Sequence, residues 1–164
     1  MGVSVNKFLL LLAILLVTST HSSAEPWRKI FPLKSTRADV ERLLGKPIAN
    51  EPDFLAQYHF ENERASVRYA TDYDLAQCKG ACCALQKDIV TQIDVESVAK
   101  PTFSTLTIDK SKLEWFPLVE DTNVRIYDNR EAGLEYWVSM KDDVLLLIRY
   151  LASAKECAGL RKKL

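Results

Sequence analysis

The chain has 164 residues, with 22 basic and 22 acidic side chains and therefore no formal net charge. Such a balance gives no electrostatic footprint for DNA, RNA or an anionic membrane surface. Hydrophobic residues make up 48% and charged residues 27%, the composition of a folded domain rather than a disordered segment.

The N-terminal residues separate by chemistry. Lys7 supplies a positive charge, Phe8 to Val17 form an uninterrupted apolar run, and Thr18 to Ala24 turn small and polar. Ser22 and Ala24 fit the small positions before a signal-peptidase cut, so residues 1–24 read as a signal peptide and Glu25 as the first mature residue. The run is short for a hydrocarbon layer of about 30 Å, and no later segment is long and apolar enough for stable membrane insertion. A lipoprotein cysteine is not present at the cut, where Glu25 stands. The expectation is a periplasmic or secreted protein with a single exported domain over 25–164, a size that supports one core. No internal repeat stands out, and Arg161-Lys162-Lys163 reads as a frayed tail.

Pro26 and Pro32 mark a short arm in which Trp27, Ile30, Phe31 and Leu33 can pack down. Thr36 then caps a helix, with Asp39 three residues on as the acid of a capping box. Val40, Leu43 and Leu44 give one apolar face, Gly45 supplies a left-handed exit and Pro47 stops continuation. A helix over Arg37–Leu44 is the result, too short to persist without packing.

Strand signals follow. Tyr58 and Phe60, then Ala65, Val67 and Tyr69, alternate with polar residues around a tip at Asn62-Glu63, as in a hairpin with one buried side. Asp72 to Lys87 reads as a loop. Ile89 to Val95 is a third strand. Leu106 and Ile108 precede a single helical turn capped by Asp109, with Leu113 and Phe116 facing inward and Pro117 ending it. The last third is a meander: Val124 to Tyr127, Leu134 to Val138, and the continuous apolar run Val144 to Tyr150, which reads as a central strand or one covered on both sides. The fold class is α+β, a short N-terminal helix packed on an antiparallel sheet.

The cysteines are Cys78, Cys82, Cys83 and Cys157. Export would let disulfides persist, and four cysteines allow three pairings. A bond between adjacent Cys82 and Cys83 is strained, so the schemes join Cys157 to one member of the cluster, with either a second local bond or two free thiols. Closing a loop of roughly 75 to 80 residues adds a few kcal/mol. The C-K-G-A-C-C spacing is not a C-x-x-C redox pair, and crowding argues against zinc, so no metal and no cofactor is expected. His59, between Tyr58 and Phe60, reads as a strand residue on a polar or half-exposed face.

The segment P-L-K-S-T-R-A-D-V-E-R-L-L-G-K-P resembles the helix-opening motif of the BamE/SmpA-like superfamily of small exported proteins, through Leu33, Thr36, Val40, Leu43, Leu44, Gly45 and Pro47. The closing N-R-E-A-G-L-E-Y-W-V and V-L-L-L-I-R-Y are similar to the final strands of uncharacterised secreted bacterial proteins with that motif. The resemblance implies an envelope or secreted binding domain rather than an enzyme. That superfamily includes an outer-membrane assembly accessory lipoprotein, and secreted β-lactamase inhibitor proteins have a related fold.

Three functions remain in view. A non-catalytic domain binding another envelope or secreted protein would use exposed aromatics of the last sheet, Tyr136 and Trp137, since aromatics dominate interface hot spots. A small secreted hydrolase would need a tuned carboxylate pair, for which Asp72 with Asp74, or Asp142 with Asp143, are the candidates. A carrier would hold a hydrophobic ligand between helix and sheet. No G-x-S-x-G, H-E-x-x-H, Walker or dinucleotide motif is present.

Overall fold

The computed structural model describes residues 26–50, 53–77 and 86–161. The signal-peptide segment, the cysteine cluster at 78–83 and Lys162-Lys163 lie outside the described residues.

Helix α1 spans Arg37–Leu44. Its start is the capping box read from the sequence: the Asp39 amide and carboxylate exchange hydrogen bonds with the Thr36 hydroxyl and amide. Val40 is fully buried, while Leu43 is 39% exposed, so the apolar stripe is narrower than its spacing suggests. Gly45 ends the helix at φ +83° and its amide donates to the Glu41 carbonyl.

Among the described residues eight strands form one antiparallel sheet: β1 Ala49–Asn50, β2 Leu55–His59, β3 Glu63–Tyr69, β4 Val90–Ser97, β5 Glu114–Pro117, β6 Val124–Asn129, β7 Leu134–Ser139 and β8 Val144–Tyr150. Their order is β1-β2-β3-β4-β8-β7-β6-β5. The chain therefore builds two four-stranded meanders, β1 to β4 and β5 to β8, and joins them where the last strand of each meets the other. No sequence repeat announces this; the duplication is one of topology. Helical segments precede both meanders: α1 before the first, and 3-10 turns at Phe103–Thr105 and Lys110–Lys112 before the second.

Both cores lie on one face of the sheet. Ile30 and Trp27 of the arm, Val40 of α1, and Tyr58, Val67, Tyr69 and Ile93 form the first. Phe103 packs against Leu134, Tyr136, Val138 and Leu145 in the second, stacked on Tyr127 at 4.6 Å. Tyr150 packs against both. Each fully buried Val, Ile or Leu contributes about 1.5–3 kcal/mol by leaving water. The arm is tied down by a hydrogen bond from the Leu33 amide to the Val90 carbonyl and an isolated bridge from Thr36 to Ile89.

The α+β expectation holds, with helices packed against a multi-stranded antiparallel sheet; two local readings change, one helix is added, and β8 is central as read. The Asp72–Lys87 segment is not all loop: α2 occupies Asp72–Gln77, opened by a Thr71/Asp74 capping box. A third helix, α3, occupies Ala154–Arg161 and opens on the same device, Ser153 with Glu156. The predicted turn at Asp109 is a short 3-10 turn over Lys110–Lys112, after which Glu114–Pro117 is an edge strand, so Phe116 is 38% exposed instead of inward. Pro117 is tolerated there because an edge strand leaves one row of amides unpaired. Strand β8 is central, as its apolar run suggests, yet only Leu145 is buried outright. A register shift places Trp137 opposite Leu147 and Val138 opposite Leu145. The skipped Leu146 is the extra residue of a bulge, which lets consecutive apolar residues occur without burial on both sides.

Two turn positions separate strain from contact. Gly133 has φ +67°, and a Cβ there would stand 2.3 Å from the Leu151 carbonyl oxygen, whereas a Cβ on Gly45 meets nothing within 4 Å. Gly45→Ala should cost about 1 kcal/mol from φ alone, and Gly133→Ala at least twice that, as read by urea denaturation. The Thr36 amide, Arg42 and the Thr36 hydroxyl lower the Asp39 carboxyl from 3.8 to about 2. A depressed folded-state pKa stabilises above the unfolded value and is lost as pH falls through the folded one. The melting-temperature gap between wild type and Asp39→Asn should therefore be full above about pH 5 and close progressively toward pH 2.

Candidate functional site

Period two in a strand sends neighbours to opposite faces, and β7 applies this rule to the two aromatics singled out above. Tyr136 faces the second core, 7% exposed, with its ring 6.0 Å from that of Phe103. Trp137 faces the other side and is half-buried. The two do not form one site: Tyr136 is a core residue, and Trp137 alone belongs to the second face.

The register of that face is regular across the second meander. Phe116, Ile126, Trp137 and Leu147 stand opposite one another in turn on β5, β6, β7 and β8, an apolar row four strands wide. Two residues along each strand lies a charged row, Glu114, Asp128, Glu135 and Arg149, which continues onto β4 at Asp94. Ile126 is buried between its flanking Phe116 and Trp137, while Phe116 at the sheet edge remains open.

The charged row holds itself together. The Arg149 guanidinium donates to both Asp94 carboxylate oxygens at 2.8 and 3.1 Å, and another of its nitrogens lies 3.6 Å from Glu135. The same guanidinium sits 4.5 Å from the centre of the Trp137 ring, and the indole Nε1–H donates to Glu135 at 3.1 Å. Trp137 is thus clamped flat by a cation over its face and a carboxylate at its edge, the geometry favoured by the ring quadrupole. Arg130 joins Asp128 at 2.8 Å and reaches Glu114 at 3.7 Å.

The other candidates have structural roles. The Asp74 carboxylate accepts from the Thr71 hydroxyl and amide, bonds that lower its pKa, opposite to what a general acid requires. Asp72 pairs with Lys87 at 2.8 Å. Asp143 holds the second core's connection: its carbonyl accepts from the Phe103 amide and its carboxylate from Ser104. Asp142 is exposed in the same turn, and His59 is exposed at the end of β2. No group of three or more His, Cys, Asp or Glu that could hold a metal ion occurs among the described residues. No helix among them is long and apolar enough to cross a membrane.

Between α1 and the sheet, the space a carrier would need is occupied. Ile30, Val40, Val67 and Tyr69 are fully buried there, and Arg37 lies 4.1 Å from the centre of the Tyr69 ring. Burial also pushes the Tyr58 and Tyr69 phenols above their ordinary pKa.

No family model, curated protein or solved structure matches this chain. The BamE-like reading is corrected accordingly, since no match assigns a family. No disulfide bond joins two described residues. Of the four cysteines only Cys157, on α3, falls within the described residues; it is buried and disulfide-bonded. Cys78, Cys82 and Cys83 lie outside, so the pairing schemes have no described geometry.

The sequence pointed to Trp137 but not to its partners. Arg149 and Asp94 are 55 residues apart, and only the β4–β8 pairing brings them together. Removing the guanidinium leaves Asp94 and Glu135 facing each other without their shared counter-charge. Arg149→Ala should destabilise by about 2 kcal/mol, with Arg149→Lys recovering part of the loss but not the two-pronged contact, as read by chemical denaturation.

Proposed function

We propose that this chain is a non-catalytic protein-binding domain that works outside the cytoplasm and docks its partner on the sheet face carrying Trp137. The observation that carries the reading is the apolar row Phe116, Ile126, Trp137 and Leu147 on the face opposite both cores. A tryptophan held flat by Arg149 and Glu135 has lost its rotamer freedom before any partner arrives. Binding through it then costs little ordering entropy, the condition under which an aromatic acts as an anchor. The leader pattern of Lys7 and Phe8 to Val17 supports delivery to a periplasmic or extracellular setting.

Against the hydrolase reading stand the roles of the candidate carboxylates as caps, turn ties and ion-pair partners. Against the carrier reading stands the filled space beneath α1.

Two substitutions on adjacent residues separate docking from folding. Tyr136→Ala empties part of the second core and should cost about 3–5 kcal/mol, abolishing the thermal transition or lowering it sharply. Trp137→Ala should keep a cooperative transition, lowered much less than by Tyr136→Ala, while weakening partner binding at least tenfold, measured by calorimetry with the isolated partner. Equal binding by wild type and a folded Trp137→Ala variant would refute the assignment.

A further inference from the structure

The docking face described above has a charge character, and the following inference rests on that reading. The row beside the apolar strip contains four carboxylates, Asp94, Glu135, Asp128 and Glu114, against two guanidinium groups, Arg149 and Arg130. The imbalance is the same at the seam and at the β5 edge, two carboxylates to one guanidinium, but it is most open to solvent at the edge. There Glu114 is 75% exposed and its contact to Arg130 is long, at 3.7 Å, while Arg130 is already engaged by Asp128 at 2.8 Å. Glu114 and Phe116, the most open members of their two rows, are separated by one residue of the same strand and point to the same side.

A partner seated on Phe116 and Trp137 therefore places its flanking side chains beside excess negative charge. An acidic segment would be repelled at Glu114, and a neutral one would leave the carboxylates partly desolvated without a counter-charge. Arginine or lysine beside an apolar residue satisfies both rows, because its aliphatic stem can lie along the apolar strip while its charged head meets a carboxylate. We propose that the face receives a basic–apolar segment of a protein partner, with large apolar side chains over Phe116 and Trp137 flanked by arginine or lysine against Glu114 and Glu135.

The probes are three short peptides: one alternating leucine with arginine, one with glutamate in place of arginine and one with serine. Each is titrated into the isotope-labelled protein at low ionic strength, following the Trp137 indole N–H and the amides of Phe116, Ile126 and Leu147. The arginine peptide should shift these resonances saturably, the serine peptide more weakly and the glutamate peptide not at all. Glu114→Gln should weaken the arginine peptide about two- to fivefold and Glu114→Lys more, while Arg130→Gln should strengthen it. Both positions are exposed, so the fold is retained and an unchanged melting curve confirms it. If the serine or glutamate peptide binds the same resonances as tightly as the arginine peptide, or if the Glu114 variants bind unchanged, charge selection is overturned while the docking face survives. If no peptide moves the Trp137 resonance of the folded protein, the docking face falls as well.

Discussion

The two halves of this molecule meet along a single pair of strands. β4 and β8 are joined in register by Ile93 with Tyr150, Asp94 with Arg149, and Val95 with Ile148. Every other pairing in the sheet joins strands consecutive in the chain, most of them as hairpins and β3 with β4 across the segment that carries α2. At this seam each face does a different job. On the covered side Tyr150 reaches both cores and makes them continuous. On the other side Arg149 bonds across to Asp94 and along its own sheet toward Glu135. A guanidinium with a fixed planar fork suits this position, because one side chain can span two strands while stacking on a third residue, Trp137.

From that seam follows the division between a covered face and an open one. The strands of the second meander alternate apart from the bulge in β8, so one face gathers Tyr127, Leu134, Tyr136 and Val138 around Phe103, and the other gathers Phe116, Ile126, Trp137 and Leu147. Tyr136 and Trp137 are adjacent in the chain and large, aromatic and partly polar, yet they differ in role because a pleated strand turns successive side chains by half a revolution. The bulge in β8 protects this arrangement. Without the extra residue at Leu146, either Leu145 or Leu147 would stand on the wrong face.

Local signals in the chain were informative to different depths. The capping box at Thr36 and Asp39 was legible because an apolar run and a Gly-x-Pro exit follow it. The same chemistry opens α2 at Thr71 and α3 at Ser153, but those helices lack a strong apolar face and a Gly-x-Pro exit, so nothing around the cap declared a helix. Alternation exposed β3, β4, β6 and β7. It could not expose β5, where Trp115, Phe116 and Pro117 run together; among the described residues β5 is the last strand on its side of the sheet, which leaves them exposed.

By itself the sequence determined what local geometry can decide: an α+β chain, the position of α1, the alternation of the meander strands and the rigid turn chemistry at Gly45. It also singled out Trp137 through residue type. Only the tertiary structure decided strand order, the pairing of two meanders through their last strands, and the separation of Tyr136 from Trp137 into core and surface. The physical reason is range. Caps and strand periods act between residues a few positions apart, whereas the contact of Asp94 with Arg149 depends on which distant strands become neighbours.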